Sequence, residues 1–389
     1  MKISFNIAVY KIVRNIYHLF LKFLELIFFF LPVSKKKIVF NNFNGKGYGC
    51  NPKYIADEIL CEKLEYKLVW LVGNTEDTFP NGINKVAFNS IRARIELATA
   101  QIIVTNVKNR LYFIKKSKQL FIQTWHGTHG FKYAEREIQD KLNPSYIKQS
   151  KITDKYTDIV LSNSKEQTQW FRDNMWSPCE IFETGYPRND ILVMNKNELK
   201  QAIRHKLGIV DQKKIILYAP TFRDNGSWDA YNLDFVKLLS VFERNYGSCV
   251  ILIRLHPNAQ NYNTIFNFDD KIIDTSFYPD MQELLLVSDV LITDYSSSVF
   301  DFALMGKAIY IFATDIDEFA NERGLRPFFY HLPIPICKST NELIKVIEEN
   351  TEQKQKRVAQ ELLNLISNVD KGDASIRVVD RIKTFIESS

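Results

Sequence analysis

The sequence predicts an α/β protein with two doubly wound, Rossmann-like domains that face each other across a cleft. Short apolar runs, which are typical of buried parallel strands, alternate with helical stretches from residue 37 onwards. The alternation occurs twice, and a helix over 196–207 joins the two series. Several predicted strands end in a polar residue, at the edge of the sheet where open α/β folds bind their ligands.

Length and composition agree with two folded domains. At 389 residues, with 46% hydrophobic and 25% charged residues, the chain can bury more than one core. The net charge of +6 comes from residues 1–37, where seven Lys and Arg stand against Glu25 alone, and the remaining residues are balanced. This distribution argues against a nucleic-acid-binding body. The five cysteines are scattered without disulfide or metal-site spacing, which predicts reduced thiols in the cytosol.

Residues 1–36 are predicted to form a basic amphipathic helix that associates with a membrane. In the apolar run 16–33, Lys22 and Glu25 are three residues apart on one stripe, while Leu, Phe and Ile fill another face. We expect an uncleaved helix lying on the cytoplasmic leaflet, with the three lysines at 35–37 on anionic headgroups. A helix packed on the domain and a true membrane span are the alternatives.

The first Rossmann-like domain is expected to cover residues 37–195. Predicted strands lie at 38–40, 67–73, 101–105, 119–124, 159–161 and 181–184. Predicted helices lie at 52–64, 91–99, 146–157 and 165–174. The first of these helices opens at Asn51-Pro52 and follows a loop, 41–51, that is rich in Gly and Asn. Such a loop can receive a phosphate, although this one lacks the P-loop spacing.

The second Rossmann-like domain is expected to cover residues 196–389. Predicted strands lie at 214–218, 250–255, 272–274, 290–293 and 308–312. Predicted helices lie at 233–246, 281–288, 299–305, 342–349, 354–367 and 374–387. The polar residues that follow the strands of both domains are expected to line one cleft.

Two histidines at strand ends are the candidate catalytic residues. His126 follows the strand 119–124 of the first domain, and His256 follows the strand 250–255 of the second. An imidazole titrates near neutral pH, so it can act as a general base or donate to a phosphate. Two imidazoles facing across a cleft suit an in-line transfer, whereas a single one is more simply a structural loop histidine. His129 could also reach the cleft, but the pattern does not set its direction.

A run of serines and two arginines are candidate anion ligands. The serines at 296–298 precede a predicted helix, where hydroxyls and free amides bind anions, with simple N-capping as the alternative. Arg188 and Arg254 could fork onto phosphate oxygens or form surface ion pairs. Asp301 would repel an anion, so it is expected to bind a sugar or polyol hydroxyl or to orient His256.

One D-x-D motif, Asp315 and Asp317, raises the question of a metal. Such a pair could hold Mg²⁺ on a nucleotide diphosphate. A solvated acidic loop is the simpler interpretation. The basic and hydroxyl side chains that follow the predicted strands could already compensate the charge of a diphosphate without a metal. We therefore predict no metal site and no cofactor.

Six motifs, in this order, resemble the CDP-glycerol glycerophosphotransferase family of teichoic acid and capsule synthesis. They are KGYGCNPKYI, TWHGT, GYPRNDIL, YAPTFRD, RLHP and VSDVLITDYSSSVFDFALMGKAIYIF, and they span 46–312. The resemblance implies a GT-B fold, metal-independent nucleotide binding and peripheral attachment to the cytoplasmic face of a bacterial membrane. It also implies transfer of a polyol phosphate from CDP-glycerol or another CDP-polyol, with release of CMP. The implied acceptor is a polyprenyl-diphosphate-linked saccharide or a polyol-phosphate chain, and no nucleic acid is involved.

The resemblance further implies roles for individual residues. His126 corresponds to the motif histidine that activity requires, and Arg254 and His256 would contact the CDP pyrophosphate. The implied nucleotide, glycerol and substrate-binding positions are Gly127, Thr128, Arg188, Pro220, Thr221, Ser296, Ser297 and Asp301. The family commonly has proline after WHGT, where this chain has His129, which leaves the loop's shape and the acceptor or polyol preference open.

Two other functions fit the residues alone. The first is a GT-B sugar transferase or nucleotide-sugar epimerase that uses a UDP-sugar. The second is a catalytically inactive protein that recruits other wall-synthesis enzymes to the membrane, against which the two strand-end histidines argue.

Overall fold

The computed structural model describes residues 19–108, 111, 113–128, 130–194, 196–209, 212–223, 228–255 and 266–388. These residues form two α/β domains, each built on a parallel sheet, which confirms this part of the predicted fold class. The predicted site residue His256, the histidine His129 and residues 1–18 of the predicted membrane helix lie outside the described residues.

The first sheet has seven strands in the order β3-β2-β1-β4-β5-β6-β7. They are β1 (Ser34–Asn41), β2 (Lys67–Val72), β3 (Ile83–Ala87), β4 (Ala100–Thr105), β5 (Leu120–Gln123), β6 (Ile159–Ser162) and β7 (Glu180–Glu183). The central strands are buried along their length because helices cover both faces of the sheet. β3 has no predicted counterpart, because its sequence INKVA is half polar and lies at the edge of the sheet.

The helices of the first half include one that precedes β1 and covers residues 19–29, which we call α1. The others are α2 (Cys50–Cys61), α3 (Ile91–Thr99), α4 (Pro144–Tyr156), α5 (Lys165–Asn174) and the short α6 (Asp190–Val193). Short 3-10 helices cover Glu135–Lys141 and Pro187–Asn189. Within the described part of the chain, no helix combines the length and the apolar content that crossing a bilayer requires.

The second sheet has six strands in the order β10-β9-β8-β11-β12-β13. They are β8 (Lys214–Tyr218), β9 (Cys249–Ile253), β10 (Ile272–Asp274), β11 (Val290–Thr293), β12 (Ala308–Phe312) and β13 (Ile336–Cys337). The helices are α7 (Asn197–Lys206), α8 (Phe235–Tyr246), α9 (Met281–Val287), α10 (Ser298–Ala303), α11 (Ile316–Arg323), α12 (Thr340–Glu348), α13 (Glu352–Ile366) and α14 (Ala374–Glu387).

The last helix, α14, returns to the first domain. Val378, Val379 and Ile382 are buried in the apolar core of the first sheet, against helix α2. The carboxylate of Asp190 accepts hydrogen bonds from the backbone N–H groups of Ala374 and Ser375, at 3.0 and 2.7 Å, and so caps this helix. The chain therefore crosses between the domains twice, once before α7 and once before α14.

Helix α1 lies against the first domain through the buried Leu21 and through polar contacts. Glu25 is buried and pairs with Arg94 at 3.0 Å. Lys116 Nζ donates to the carbonyl oxygen of Leu31 at 2.5 Å. One expectation for this region is wrong: Lys37 does not face a membrane surface but is buried, with its Nζ 2.8 Å from a carboxylate oxygen of Glu96. A lysine at the start of a central strand reaches the helix above the sheet, where this carboxylate compensates its charge.

Candidate active site

The loop 124–128 follows β5 and carries His126 to the interface between the two domains. Gly127 makes a close approach there: a Cβ atom at this position would lie 2.9 Å from Ser297 Oγ and 3.3 Å from Arg188 Nη2. Ser297 belongs to the second domain, so only the missing side chain of Gly127 lets the loop and the serine approach. The structure thus brings together three predicted positions from different parts of the chain.

A backbone carbonyl orients the imidazole of His126. Its Nδ1 lies 2.7 Å from the carbonyl oxygen of Asn106, which can only accept, so Nδ1 carries the proton and donates it. In the neutral ring this leaves Nε2 as the basic nitrogen. The Trp125 ring stacks beside the imidazole at a centroid distance of 4.9 Å, and the Phe43 ring meets it edge-on at 5.4 Å.

The Gly- and Asn-rich loop supports this orientation. Asn106 Nδ2 donates to Asn42 Oδ1 at 2.7 Å, and Asn106 Oδ1 accepts from the Phe43 backbone N–H at 2.9 Å. Asn42 in turn donates to the carbonyl oxygen of Lys46 at 2.8 Å, which closes the loop on itself. Through these hydrogen bonds the loop holds Asn106, the residue whose carbonyl orients His126.

The surroundings of His126 favour its neutral form. The imidazole is exposed to solvent on one side and enclosed by protein on the others. This enclosure is the largest cause that lowers the pKa of His126 below 6.5, and the nearby charge of Arg188 lowers it further. The hydrogen bond to Asn106 and the charge of Glu135 act in the opposite direction. A neutral imidazole near pH 7 can accept a proton.

Arg188 and Asp301 join the two domains through a buried ion pair. Arg188 Nη2 lies 2.5 Å from Asp301 Oδ2, and Arg188 Nη1 donates to the carbonyl oxygen of His126 at 2.6 Å. Asn189 and Gln282 also donate to the carboxylate of Asp301, at 3.1 and 3.0 Å. Arg188 was expected either to bind phosphate oxygens or to form a surface ion pair. It forms an ion pair, but this pair is buried. Removing one partner of such a pair costs about 3–5 kcal/mol.

The serine run lies across from the histidine loop. Ser296 Oγ accepts from the Ser298 hydroxyl at 3.0 Å and from the Ser298 N–H at 3.3 Å. Ser297 precedes α10, yet its side chain makes no capping hydrogen bond. Simple N-capping therefore does not account for Ser297, whose hydroxyl lies beside Gly127.

Thr221 and Pro220 lie at the carboxyl end of β8. The Thr221 N–H donates to Asp294 Oδ1 at 2.8 Å, and the buried Thr221 Oγ1 has no hydrogen-bond partner among the described residues. Behind them, Arg223 bridges Asp294 at 2.9 Å and Asp315 at 2.6 Å. The sequence interpretation assigned no role to Arg223. The available signal was that Arg223 and Asp294 follow two strands, β8 and β11, that are neighbours in the sheet.

The D-x-D motif does not form a metal pair. Asp315 is engaged by Arg223 and accepts from the Tyr295 hydroxyl at 2.9 Å. Asp317 is 90% exposed and lies 3.4 Å from Lys338. Among the residues that the structure describes, no cluster of His, Cys, Asp and Glu has the arrangement of a metal site.

Arg254 lies at the carboxyl end of β9, close to a cluster of charges that links the domains. Its Nη1 donates to the carbonyl oxygen of Tyr278 at 2.5 Å. Next to it, Lys53 of α2 pairs with Asp280 at 2.6 Å and with Glu283 at 2.5 Å. The sequence interpretation missed this interdomain ion pair, because nothing in the two segments signals that they meet.

A second missed group centres on Asp370, in the segment between α13 and α14. Asp370 accepts from the Tyr186 N–H at 2.6 Å, from Asn163 at 3.1 Å and from Asn189 at 3.3 Å. Asn163 also donates to the hydroxyl of Thr128 at 2.9 Å. The second crossing of the chain is therefore tied to the loop that holds His126.

Comparisons with known proteins find one family, and the matches cover almost the whole chain. A family model described as CDP-Glycerol:Poly(glycerophosphate) glycerophosphotransferase matches residues 23–384. The chain is 32% identical over 368 residues to the teichoic acid poly(glycerol phosphate) polymerase of Bacillus spizizenii, covering 90% of this chain and 93% of that protein. It is 33% identical over 367 residues to the polymerase of the same name from Staphylococcus epidermidis, covering 90% of this chain but 51% of that protein. The chain thus spans about half the length of the second relative.

A solved structure shows the same arrangement of elements. The wall teichoic acid polymerase TagF superposes with a TM-score of 0.82 at 31% identity, covering 98% of this chain and 97% of that chain. The two parallel sheets, the site between them and the family model point to one conclusion. The chain belongs to the CDP-glycerol:poly(glycerophosphate) glycerophosphotransferase family, as its six motifs predict.

Proposed function

We propose that this chain transfers glycerol phosphate, or a related polyol phosphate, from CDP-glycerol to a membrane lipid-linked acceptor in teichoic acid or capsule synthesis, and releases CMP. The observation that carries the proposal is the orientation of His126, whose Nδ1 is bonded to Asn106 and whose Nε2 is left to accept a proton. The family description and the names of the relatives, which are polymerases of poly(glycerol phosphate), support the choice of donor and product.

In this mechanism His126 acts as the general base. Its Nε2 accepts the proton of an acceptor hydroxyl while that oxygen attacks the β-phosphorus of CDP-glycerol. The new P–O bond forms to the acceptor, and the bond from the β-phosphorus to the bridging oxygen of the diphosphate breaks. CMP departs with the electron pair of that bond, so negative charge grows on its phosphate.

Groups of the second domain are proposed to stabilise this charge. Arg254 and the hydroxyls of Ser296 and Ser297 lie at carboxyl ends of strands in the second sheet, where donors to a diphosphate are needed. His256 is proposed to join them. Pro220 and Thr221 would line the nucleotide side, where the buried Thr221 hydroxyl offers a hydrogen bond. This arrangement uses cationic and hydroxyl groups and assigns no role to a metal.

The ion pair of Arg188 and Asp301 would hold the two domains together at the site. By donating to the carbonyl oxygen of His126, Arg188 holds the loop that carries the base. Gly127 and Thr128 of the same loop would face the substrate, with Thr128 held by Asn163. We infer a GT-B arrangement with the acceptor on the first domain, 37–195, and the CDP-polyol on the second, 196–389, from which α14 returns to the first.

We also infer that helix α1 lies on the inner membrane surface. Its outer face is largely apolar, although it also carries Lys22: Leu19 is 70% exposed and Phe23 58%, and Phe30, directly after the helix, is 84% exposed. The inner face is occupied by the Glu25–Arg94 pair, so the helix cannot turn this apolar face inward without breaking a buried ion pair. Lys35 and Lys36 follow in exposed positions, where they suit anionic headgroups.

The test of the proposed function is incubation of the chain with CDP-glycerol and acceptor-bearing membranes. We expect release of CMP, and a mass increase of the lipid-linked acceptor by whole glycerol phosphate units. The His126→Ala variant should release CMP about 10²–10⁴-fold more slowly, which is the usual contribution of a general base. Parallel reactions with CDP-ribitol and with UDP-sugars identify the donor.

The matched control is His331→Ala. Its Nδ1 also lies 2.8 Å from a backbone carbonyl oxygen, that of Pro327, but the residue is exposed at the end of the 3-10 helix Pro327–His331. CMP release by this variant should equal that of the wild type. Wild-type rates in His126→Ala would refute the assigned base, and turnover of a UDP-sugar alone would refute the assigned donor.

A further inference from the structure

The segment 130–133, which follows the loop of the proposed base, packs on the second domain. Phe131 is 2% exposed and belongs to an apolar core that the second domain mainly builds. Its ring centroid lies 5.4 Å from that of Phe300 on α10. The rings of Phe329 and Phe328, in the 3-10 helix after α11, lie at 4.9 and 6.3 Å. Aromatic rings at such distances attract each other beyond the burial of their area, so this side chain anchors the segment in the second domain.

Backbone contacts hold the same segment on the second domain. The N–H of Arg326 donates to the carbonyl oxygen of Phe131 at 2.8 Å. The next residue, Lys132, pairs with Leu325 in an isolated antiparallel bridge. The segment is therefore fixed by its main chain as well as by the ring, and both contacts are made to the part of the second domain that follows α11.

The loop that carries His126 is thus held by a different domain on each side. Before the histidine, the N–H of Thr124 donates to the carbonyl oxygen of Thr105, the last residue of β4, at 2.7 Å. After it, a Cβ atom on Gly130 would lie 3.5 Å from Ser297 Cβ, so the chain runs close to the serines of the second domain. A short loop that is fixed at both ends leaves its side chains few positions to adopt.

We propose that Phe131 is a positioning residue, which acts through the loop 124–128 to hold the imidazole of His126 opposite the donor-binding side chains of the second domain. The inference rests on the proposed function, in which His126 is the base and the second domain binds CDP-glycerol. A general base must lie within hydrogen-bonding distance of the proton that it removes, and a misplacement of about 1 Å can cost about a hundredfold in rate. Anchoring the loop in the domain that binds the donor maintains this distance.

The first test compares the kinetics of Phe131→Ala and Phe131→Leu. Phe131→Ala removes the anchoring ring, so kcat for CMP release should fall about 10–100-fold. KM for CDP-glycerol, which the second domain binds, should change less than about twofold. Phe131→Leu keeps an apolar side chain in the core and should retain kcat to within about threefold.

The matched control for these variants is Phe242→Ala. Phe242 is also fully buried, but it lies in the separate apolar core on the other face of the second sheet. Its loss should lower the unfolding temperature and leave kcat unchanged. All rates are measured below the unfolding temperature of the least stable variant, so that every enzyme in the comparison is folded.

The pKa of His126 reports on the loop without turnover. NMR of the histidine Cε1–H signals measures it, and the loss of one signal in His126→Ala gives the assignment. Burial lowers this pKa below 6.5 in the wild type, so release of the loop in Phe131→Ala should raise it towards 6.5, whereas Phe131→Leu should keep the wild-type value. A wild type that releases no CMP refutes the proposed function, and this shift of the His126 pKa would still support the anchoring role of Phe131.

A disulfide can replace the anchor. Cα atoms paired in an antiparallel bridge lie about 4.5–5.5 Å apart, a distance that a disulfide spans, so Lys132→Cys and Leu325→Cys are added to Phe131→Ala. Oxidation should raise kcat at least about tenfold, and reduction with dithiothreitol should reverse the gain. Phe131→Ala alone, oxidised in the same way, is the control for the native cysteines.

Three results overturn the proposal. The first is a folded Phe131→Ala variant with the wild-type kcat and the wild-type His126 pKa. The second is an equal loss of kcat in Phe242→Ala, which would show a general effect of a weakened core. The third is a loss of kcat in Phe131→Ala that the disulfide does not restore.

Discussion

At the scale of single residues, the reactivity assigned to His126 depends on neighbours far away in the sequence. The carbonyl of Asn106 sets its tautomer, and Arg188 both holds its backbone and lowers its pKa. The sequence predicted the position of His126 at a strand end, because that follows from the apolar run before it. Its partners could not be predicted, since a backbone carbonyl carries no residue-specific signal.

The lowered pKa of His126 leads to a prediction for the pH profile. A base with a lowered pKa stays neutral to a more acidic pH, so kcat/KM for CMP release should be lost only below pH 6.5. The measurement is kcat/KM from pH 5 to 8 with saturating acceptor membranes. A decline already complete at pH 7 would contradict the assignment of His126 as the base in this environment.

At the scale of elements, α1 shows how docking decides which face of an amphipathic helix is outside. The sequence predicted an apolar face and a polar stripe, and both are present. The tertiary contact with Arg94 placed Glu25 inward together with Leu21, whereas Lys22 of the same stripe is exposed, as are Leu19, Phe20 and Phe23. Lys37, by contrast, was predicted to be on the surface and is buried against Glu96, because β1 begins earlier than its apolar residues indicate.

The exposed face of α1 leads to a prediction for membrane binding. Replacing Phe23 and Phe30 by serine removes two aromatic side chains that would enter the bilayer, each contributing about 1.5–3 kcal/mol when fully buried. Binding of the double variant to phosphatidylglycerol vesicles, measured by co-sedimentation, should weaken at least about tenfold.

The control for this measurement is Phe277→Ser. Phe277 is 85% exposed but lies in the second domain, so its loss should leave vesicle binding unchanged. Equal losses in the two variants would indicate nonspecific adsorption and contradict the role of α1.

At the scale of the whole molecule, the two domains are joined by polar contacts around the cleft. The pairs Arg188–Asp301 and Lys53–Asp280 cross the interface, and Asp370 contacts the first domain through Asn163 and Tyr186. The two-domain architecture was predictable from the repeated strand–helix pattern. These crossings were not, because their partners are more than 100 residues apart and belong to no common motif.

The environment of Asp370 leads to a prediction for stability against pH. Burial, with the charge of Asp301, raises the pKa of Asp370 to about 6, whereas an unfolded Asp titrates near 3.9. The folded state then binds the proton more tightly, so this group's contribution to stability is lost as the pH rises from about 4 through 6. Since the side chain is partly exposed, we expect the wild type to lose about 1–2 kcal/mol relative to Asp370→Asn over this range.

The measurement is the free energy of unfolding in urea, at several pH values from 4 to 7.5, for the wild type and Asp370→Asn. Asp317→Asn, at a position that is 90% exposed, is the control and should give a curve parallel to that of the wild type. Parallel curves for Asp370→Asn as well would show that Asp370 titrates normally in the folded protein.

The sequence by itself determined the two parallel sheets, the family and the positions of the strand-end residues. These properties follow from local periodicity and from ordered motifs, each readable within a few dozen residues. Only the tertiary structure decided that Arg188 meets Asp301, that Gly127 lies against Ser297, that α14 returns to the first domain and that Phe131 packs in the core of the second domain. Such contacts depend on how two domains and their helices pack, and packing complementarity leaves little trace in the local pattern of either partner.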